Sequence, residues 1–472
     1  MTTWRHLRRI CAAAAGMPLA LGMLMLAGTP AAAMKATSYT LANGMQVVVL
    51  PDHRLPIVTH MVFYKVGSAD DPPGQSGVAH YLEHLMFKGT PKHPAGEFDL
   101  LVTRNGGATN AYTSSDKTYY YEQVLKKGLP VMMELGADRM TSLQFPTIEA
   151  QHELSVVLEE RRSYENDPDS QLDDDIDRTL FQGKAYAHPV LGEWSETGSL
   201  DYGNALAFYH AHYGPRSAIL IVYGDVEPDD VRQLAEATYG QLPSLPETLP
   251  DRSWRTSGSV CSGRRIVRAD DRVTRDKVTL VFPLPSAETL DPHALMAIDL
   301  LAVVLRSESL SPLYSDMVLD KGLASDVQAS TDIRIAAGEL RISAEASGSV
   351  KAAQIEHSLR VDLTRLLETG ITQETLRLAK RNWLDGDALN SDDQLDIATH
   401  YGERLAMGAT VAQIEGERTL AGSITLREIN KALRAYLAPA CALTAVLRRG
   451  DALTSDSSNQ RTPLARTTPG VR

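Results

Sequence analysis

Along almost the whole chain, short apolar runs rich in β-branched residues alternate with longer stretches whose apolar positions recur every three or four residues. Residues 46–50 and 57–64 predict two strands around the turn residues Asp52 to Pro56, and 76–87 carries helical spacing. Residues 109–113 and 118–124, rich in Thr and Tyr, predict another strand pair. Two long helices are expected at 129–143 and 146–165, the second opened by Pro146 and closed at Asp167-Pro168. A buried strand at 218–222, closed by Gly224-Asp225, and a helix at 229–239 complete this first series.

Pro243, Pro246 and Pro250 then stand among polar residues, which is linker composition and places a boundary at 246–256. Beyond it the order recurs, with a strand at 277–282, a helix at 292–305, a strand at 338–346, helices at 352–369 and 373–387, and a strand at 443–447. Two units of similar size and element order, 34–245 and 257–450, imply a duplicated α+β architecture, each unit a sheet with helices packed on it. Ser, Thr, Pro and Gly dominate 451–472, so that stretch is expected to be a disordered tail.

The first 33 residues break the pattern. Arg5, Arg8 and Arg9 precede an apolar run from Ile10 to about Gly28, and Ala31-Ala32-Ala33 offers the small residues of a cleavage site. Gly16, Pro18 and Gly22 interrupt the run, so it reads as a cleaved signal peptide and not as an anchor. The expectation is an exported protein, periplasmic if bacterial, with no permanent membrane span after cleavage.

With 472 residues, 43% hydrophobic and 22% charged, the composition is globular and exceeds what one domain usually holds. A net charge of −12 leaves no basic stripe to neutralise phosphates, which excludes nucleic-acid partners. Of three cysteines, Cys11 lies in the leader, and neither Cys261 nor Cys441 belongs to a Cys-x-x-Cys pair. A zinc ribbon is thereby excluded, while one disulfide between Cys261 and Cys441 is open in an oxidising compartment.

The chemistry concentrates in His80-Tyr81-Leu82-Glu83-His84. On a helix His80, Glu83 and His84 project from one face, and two imidazoles one turn apart can chelate one ion. Neutral imidazole suits Zn²⁺, and Glu83 would point at the same site without being a ligand, ready to take a proton from water. A catalytic zinc needs a third protein ligand and an open position, and the helix at 146–165 offers Glu153 and Glu160, seven residues apart on one face. Glu159 competes with Glu160, and a solvated acidic face paired with Arg161 and Arg162 is the structural alternative to either ligand.

Four stretches carry a resemblance to a known family: His80 to Thr90 (HYLEHLMFKGT), Asn105 to Tyr121 (NGGATNAYTSSDKTYYY), Glu153 to Pro168 (ELSVVLEERRSYENDP) and Phe208 to Val226 (FYHAHYGPRSAILIVYGDV). In this order they resemble the pitrilysin/insulysin family of inverzincin zinc peptidases, which includes the mitochondrial processing peptidases. The resemblance implies two homologous domains, each a mainly antiparallel sheet packed with helices, the second lacking a metal site. It implies one Zn²⁺ per chain held by His80, His84 and Glu160, with Glu83 as general base and Glu153 as the carboxylate that orients the site. It also implies that Asn110, Ala111 and Tyr112 lie beside an extended peptide substrate, which adds to the sheet edge by main-chain hydrogen bonds. The activity implied is hydrolysis of unfolded peptides.

The chain departs from its relatives in the second unit, where many active members carry an Arg and, seven residues later, a Tyr. Val318 and Ser325 stand at those places. Valine has no polar group and a serine hydroxyl is far shorter than a phenol, so the expected working form is a heterodimer whose related partner supplies the Arg/Tyr pair. Tyr314 or Arg306 substituting from nearby is the alternative, and a non-catalytic assembly subunit is the rival functional class. His188, His210, His212 and His293 read as structural or surface residues.

Overall fold

The computed structural model describes residues 35–247, 263–306, 311–390 and 393–450. The expected signal segment, most of the expected linker, the tail and Cys261 lie outside the described residues, and Cys441 is disulfide-bonded.

Strands β1 (Thr37–Thr40), β2 (Gln46–Pro51), β3 (Ile57–Tyr64), β4 (Ala108–Thr113), β5 (Thr118–Leu125) and β6 (Ala218–Gly224) form one sheet in the order β1-β2-β6-β3-β5-β4. Its apolar runs sit centrally: Val47 to Leu50 on β2 and Ile219 to Tyr223 on β6 are buried on both faces, and this pair alone in the sheet is parallel. Strands β7 (Arg265–Asp270), β8 (Lys277–Leu284), β9 (Ala324–Ile333), β10 (Gly338–Ala346) and β11 (Leu443–Arg449) form a second sheet in the order β7-β11-β8-β10-β9. Strand for strand this repeats β2-β6-β3-β5-β4, down to the parallel pair β7/β11, so the duplication extends to topology.

Helices cover one face of each sheet. Among them are α1 (Val78–Leu85), α2 (Glu97–Arg104), α3 (Leu129–Thr141) and α4 (Thr147–Glu165) in the first half. Val78, Leu82 and Leu85 of α1 join Val62, Tyr64 and Tyr120 of the first sheet in one core. In the second half Ile298, Leu301 and Leu305 of the helix Pro292–Arg306 pack on Leu280, Phe282, Leu340 and Ile342. Each fully buried side chain of this size contributes about 1.5–3 kcal/mol of transfer free energy.

The halves exchange helices across their other faces. Pro168, expected only to end the preceding helix, also opens α5 (Pro168–Leu180), where its missing N–H costs nothing; the Asp167 carboxylate accepts the Ser170 N–H at 3.0 Å as N-cap. Leu172, Ile176 and Leu180 of α5 bury themselves against Val281, Leu443, Ala445 and Leu447 of the second sheet. In return the helix Gln394–Ala406 crosses the first sheet, where Gly402 approaches the Phe63 ring so closely that a Cβ would sit 1.9 Å from it. Among the described residues no helix is long and apolar enough to cross a membrane.

Candidate metal centre

Helix α1 begins at a fixed point. Gly77, its N-cap, has φ +90°, and a Cβ there would also lie 2.8 Å from the Leu191 carbonyl oxygen. The Asp71 carboxylate accepts the N–H groups of Gly77 at 2.6 Å and Ala79 at 3.0 Å, satisfying donors that the first turn leaves open. His80, Glu83 and His84 therefore leave the helix at defined heights, while Val78, Leu82 and Leu85 hold it to the core.

Helix α4 supplies the facing carboxylates. Glu153, Val157 and Glu160 follow one another by four and three residues, so the buried Val157 sets the stripe from which both acids project. His84 Nδ1–H donates to Glu153 Oε1 at 2.9 Å, which leaves His84 Nε2 facing Glu160 Oε2 at 3.3 Å. His80 Nε2 lies 3.6 Å from the same oxygen, and the two imidazole centroids are 4.7 Å apart. The other Glu153 oxygen is held by the Lys88 ammonium. Glu159 is directed elsewhere, exposed and paired with Arg162. Arg161, expected beside Arg162 on a solvated face, is instead buried against Asp174 of α5, because its guanidinium finds a carboxylate there.

Electrostatics separates the two histidines. Burial, reinforced by the neighbouring His84, lowers the His80 pKa to about 4, so its ring is neutral near pH 7. Burial alone would lower His84 as well, but the carboxylates of Glu153, Glu160 and Glu83 outweigh it and raise the pKa to about 9. Burial pushes Glu83 up against the opposing hydrogen bond that Thr113 Oγ1 donates to its Oε2. Glu160 is held below the usual carboxylate range by its hydrogen bond from His84, against the effect of burial.

One donor atom from each of His80, His84 and Glu160 lies within 4.8 Å of the others, the one such group among the described residues. His80 Nδ1 is buried with no hydrogen-bond partner among the described residues. Two imidazoles and one carboxylate match the donor set of a catalytic zinc site, with room left for a fourth ligand because the Glu160 side chain is 48% exposed. The residues fit a zinc ion.

Strand β4, the edge of the first sheet, runs beside α1. Asn110 and Tyr112 point outward, while Ala111 and Thr113 face the helix side, so one strand offers both an open edge and the hydroxyl that holds Glu83. The Ala111 N–H is taken by its neighbour's Asn110 Oδ1 at 2.9 Å. A cavity of about 550 Å³ adjoins Tyr112, lined by Ser115 and Lys117 of the first half and Thr331, Arg334 and Glu403 of the second.

Other singled-out residues take structural places. Val318 and Tyr314 pack against the second core, and Ser325 Oγ donates to the Glu345 carbonyl at 3.4 Å. His293 pairs with Glu428, His188 lies beside Glu193, and His212 packs against Phe208 with the rings tilted. Lys88 and Thr113 were not singled out by sequence, and Arg161 only as part of a solvated face. Lys88 lies just past the end of α1 and four residues after His84, whereas Thr113 and Arg161 act on groups from other elements.

This fold and this constellation define a zinc-peptidase architecture. Residues 46–193 match the family model described as insulinase (peptidase family M16), and 199–382 match that of the peptidase M16 inactive domain. The chain belongs to the M16, or insulinase, family. The zinc protease PqqE of Helicobacter pylori is 31% identical over 373 residues, which cover 79% of this chain and 83% of that protein. The crystal structure of a protease from Helicobacter pylori matches with a TM-score of 0.81 at 28% identity, over 88% of this chain and 99% of that one. Pitrilysin matches 88% of this chain with a TM-score of 0.74 at 21% identity, but only 45% of its own chain takes part.

Proposed function

We propose that this protein is a zinc-dependent endopeptidase that hydrolyses unfolded peptides, acting as the metal-bearing subunit of a heterodimer after export. The observation that carries this reading is the convergence of His80, His84 and Glu160 beside Glu83, next to an open sheet edge.

Zinc, when bound, supplies a Lewis acid that acidifies water and polarises the scissile carbonyl. His80, His84 and Glu160 would hold it, and Glu153 keeps the His84 ring in the tautomer that offers Nε2. Glu83 takes a proton from the attacking water and returns it to the leaving amine, while Thr113 holds one of its oxygens still. Asn110 to Tyr112 bind the peptide as an added strand, which grips main chain more than side chains, and the adjoining cavity gives the flanking residues space. Strand addition requires the Asn110 amide to release the Ala111 N–H.

The partner reading is supported by Val318 and Ser325, both engaged within the second half. The test is cleavage of a quenched fluorescent peptide by the zinc-loaded chain, alone and mixed with a related chain that carries Arg and Tyr at the corresponding places. The expected result is chelator-sensitive cleavage only in the mixture. Full turnover by the isolated chain would remove the partner, and no cleavage in either case would remove the peptidase.

A further inference from the structure

Helix α4 carries Glu153 and Glu160 on a rod with little apolar surface. Of its 19 residues only Ala150, Val157 and Arg161 are buried. Ala150, Val157 and the half-buried Leu154 set the depth of the helix, but so narrow an apolar stripe resists rotation weakly. A Glu160 carboxylate sits about 5–6 Å from the helix axis. A rotation of about 20° would therefore carry it about 2 Å, the length of a zinc–oxygen bond. Glu153, held by His84 and Lys88, fixes the azimuth two turns earlier, and the Glu160 end needs a hold of its own.

Arg161 follows Glu160 and points about 100° away around the helix. Its side chain is 2% exposed, and its Nη1 and Nη2 both donate to Asp174 Oδ2, at 3.2 and 3.1 Å. Glu165 Oε1, one turn along the same helix, lies 3.3 Å from Nη2. Asp174 belongs to α5, and α5 is bound to the second sheet by more than its buried Leu172, Ile176 and Leu180. Arg341 reaches Asp173 and Asp177, Arg268 reaches Asp175, and Lys277 reaches Asp169. Turning α4 so as to withdraw Glu160 would pull a buried guanidinium off its carboxylate, which the desolvated interior resists strongly.

We infer that Arg161, through Asp174, is a positioning residue for Glu160, so that α5 makes the second sheet the support of the third metal-ligand position. This rests on the zinc reading of the site and gives the half without a metal motif a mechanical part in it.

The test is zinc affinity of the full-length chain, measured by competition with a chromophoric chelator, together with the visible spectrum of the Co²⁺-loaded form. Arg161→Met and Asp174→Asn are each expected to weaken zinc binding by about 10- to 100-fold and to change the cobalt band, with the far-ultraviolet circular dichroism unchanged. Arg161→Lys, which keeps the charge, is expected to recover most of the affinity. A lowered Tm with zinc affinity and cobalt spectrum unchanged would show a purely structural pair and overturn the inference. Asp174→Asn preserves shape and decides the matter alone if Arg161→Met does not fold. No step needs turnover, so a wild-type chain that holds zinc yet cleaves nothing counts against the peptidase reading and not against this one.

Discussion

A carboxylate acts as a base only where it is partly desolvated, aimed and free on one oxygen, and Glu83 meets all three conditions: it is half-buried on α1, and Thr113 occupies one of its oxygens. Replacing Glu83 by Gln keeps the shape and removes the proton acceptor. Zinc binding should persist while hydrolysis by the active assembly falls by about 10²–10⁴-fold. Unchanged turnover would contradict the assignment. Thr113→Val removes a hydrogen bond to a charged group, worth about 1.5–3 kcal/mol, so kcat should fall by about 10- to 100-fold with KM little changed, and Thr113→Ser should restore it. At this scale the sequence is most legible where geometry is local. His80, Glu83 and His84 share one helix face, and their spacing alone brings them together. Glu160 against Glu159 was undecided by spacing, because adjacent residues on one helix differ only in azimuth and the partner helix is unknown until the fold is. Thr113 was silent, and Arg161 was read onto a solvated face, for the same reason: each meets its partner across two elements.

Among elements, those with a strong apolar period were visible. The strands at 57–64 and 338–346 and the helix at 352–369 fall at the expected residues. Helix α5 was not visible. Its PDSQLDDDIDRTL sequence spaces Leu172, Ile176 and Leu180 four apart among five aspartates, and those acids find Arg161, Arg268, Lys277, Arg334 and Arg341 elsewhere in the chain. The helix Gln394–Ala406 was hidden likewise, since its burial is conferred by the opposite half, while the edge strand β9 was hidden by its polar composition, only Ala324, Val327 and Ala329 entering its own core. Gly402 on that helix marks the closest approach to the first sheet. Gly402→Ala places a methyl group into the Phe63 ring and should destabilise the chain by about 1–3 kcal/mol, read as a lowered Tm in calorimetry. An unchanged Tm would mean that this helix does not seat on the sheet as described.

On the scale of the whole molecule, one ancestral plan occurs twice with divergent duties. The two sheets share strand order and the parallel pair, yet among the described residues the His/Glu constellation lies in the first half alone. The duplication was legible because element order survives sequence divergence, whereas the exchange of helices between halves was not, since it depends on contacts far apart in the chain. The chain should associate with a related protein bearing the Arg and Tyr that Val318 and Ser325 replace. Size-exclusion chromatography of the mixture should show a 1:1 complex in which peptidase activity co-elutes. Separate elution of two chains, with activity in neither, would remove the heterodimer.

Whether imidazoles of α1 and a carboxylate of α4 grip one zinc ion is decided by titrating zinc into the metal-stripped chain and its Glu160→Gln variant. One zinc per wild-type chain is expected, with a loss of affinity in the variant greater than the about 10- to 100-fold that residues behind the ligands command. Equal affinity in the two chains, or no zinc bound by the wild type, would contradict it.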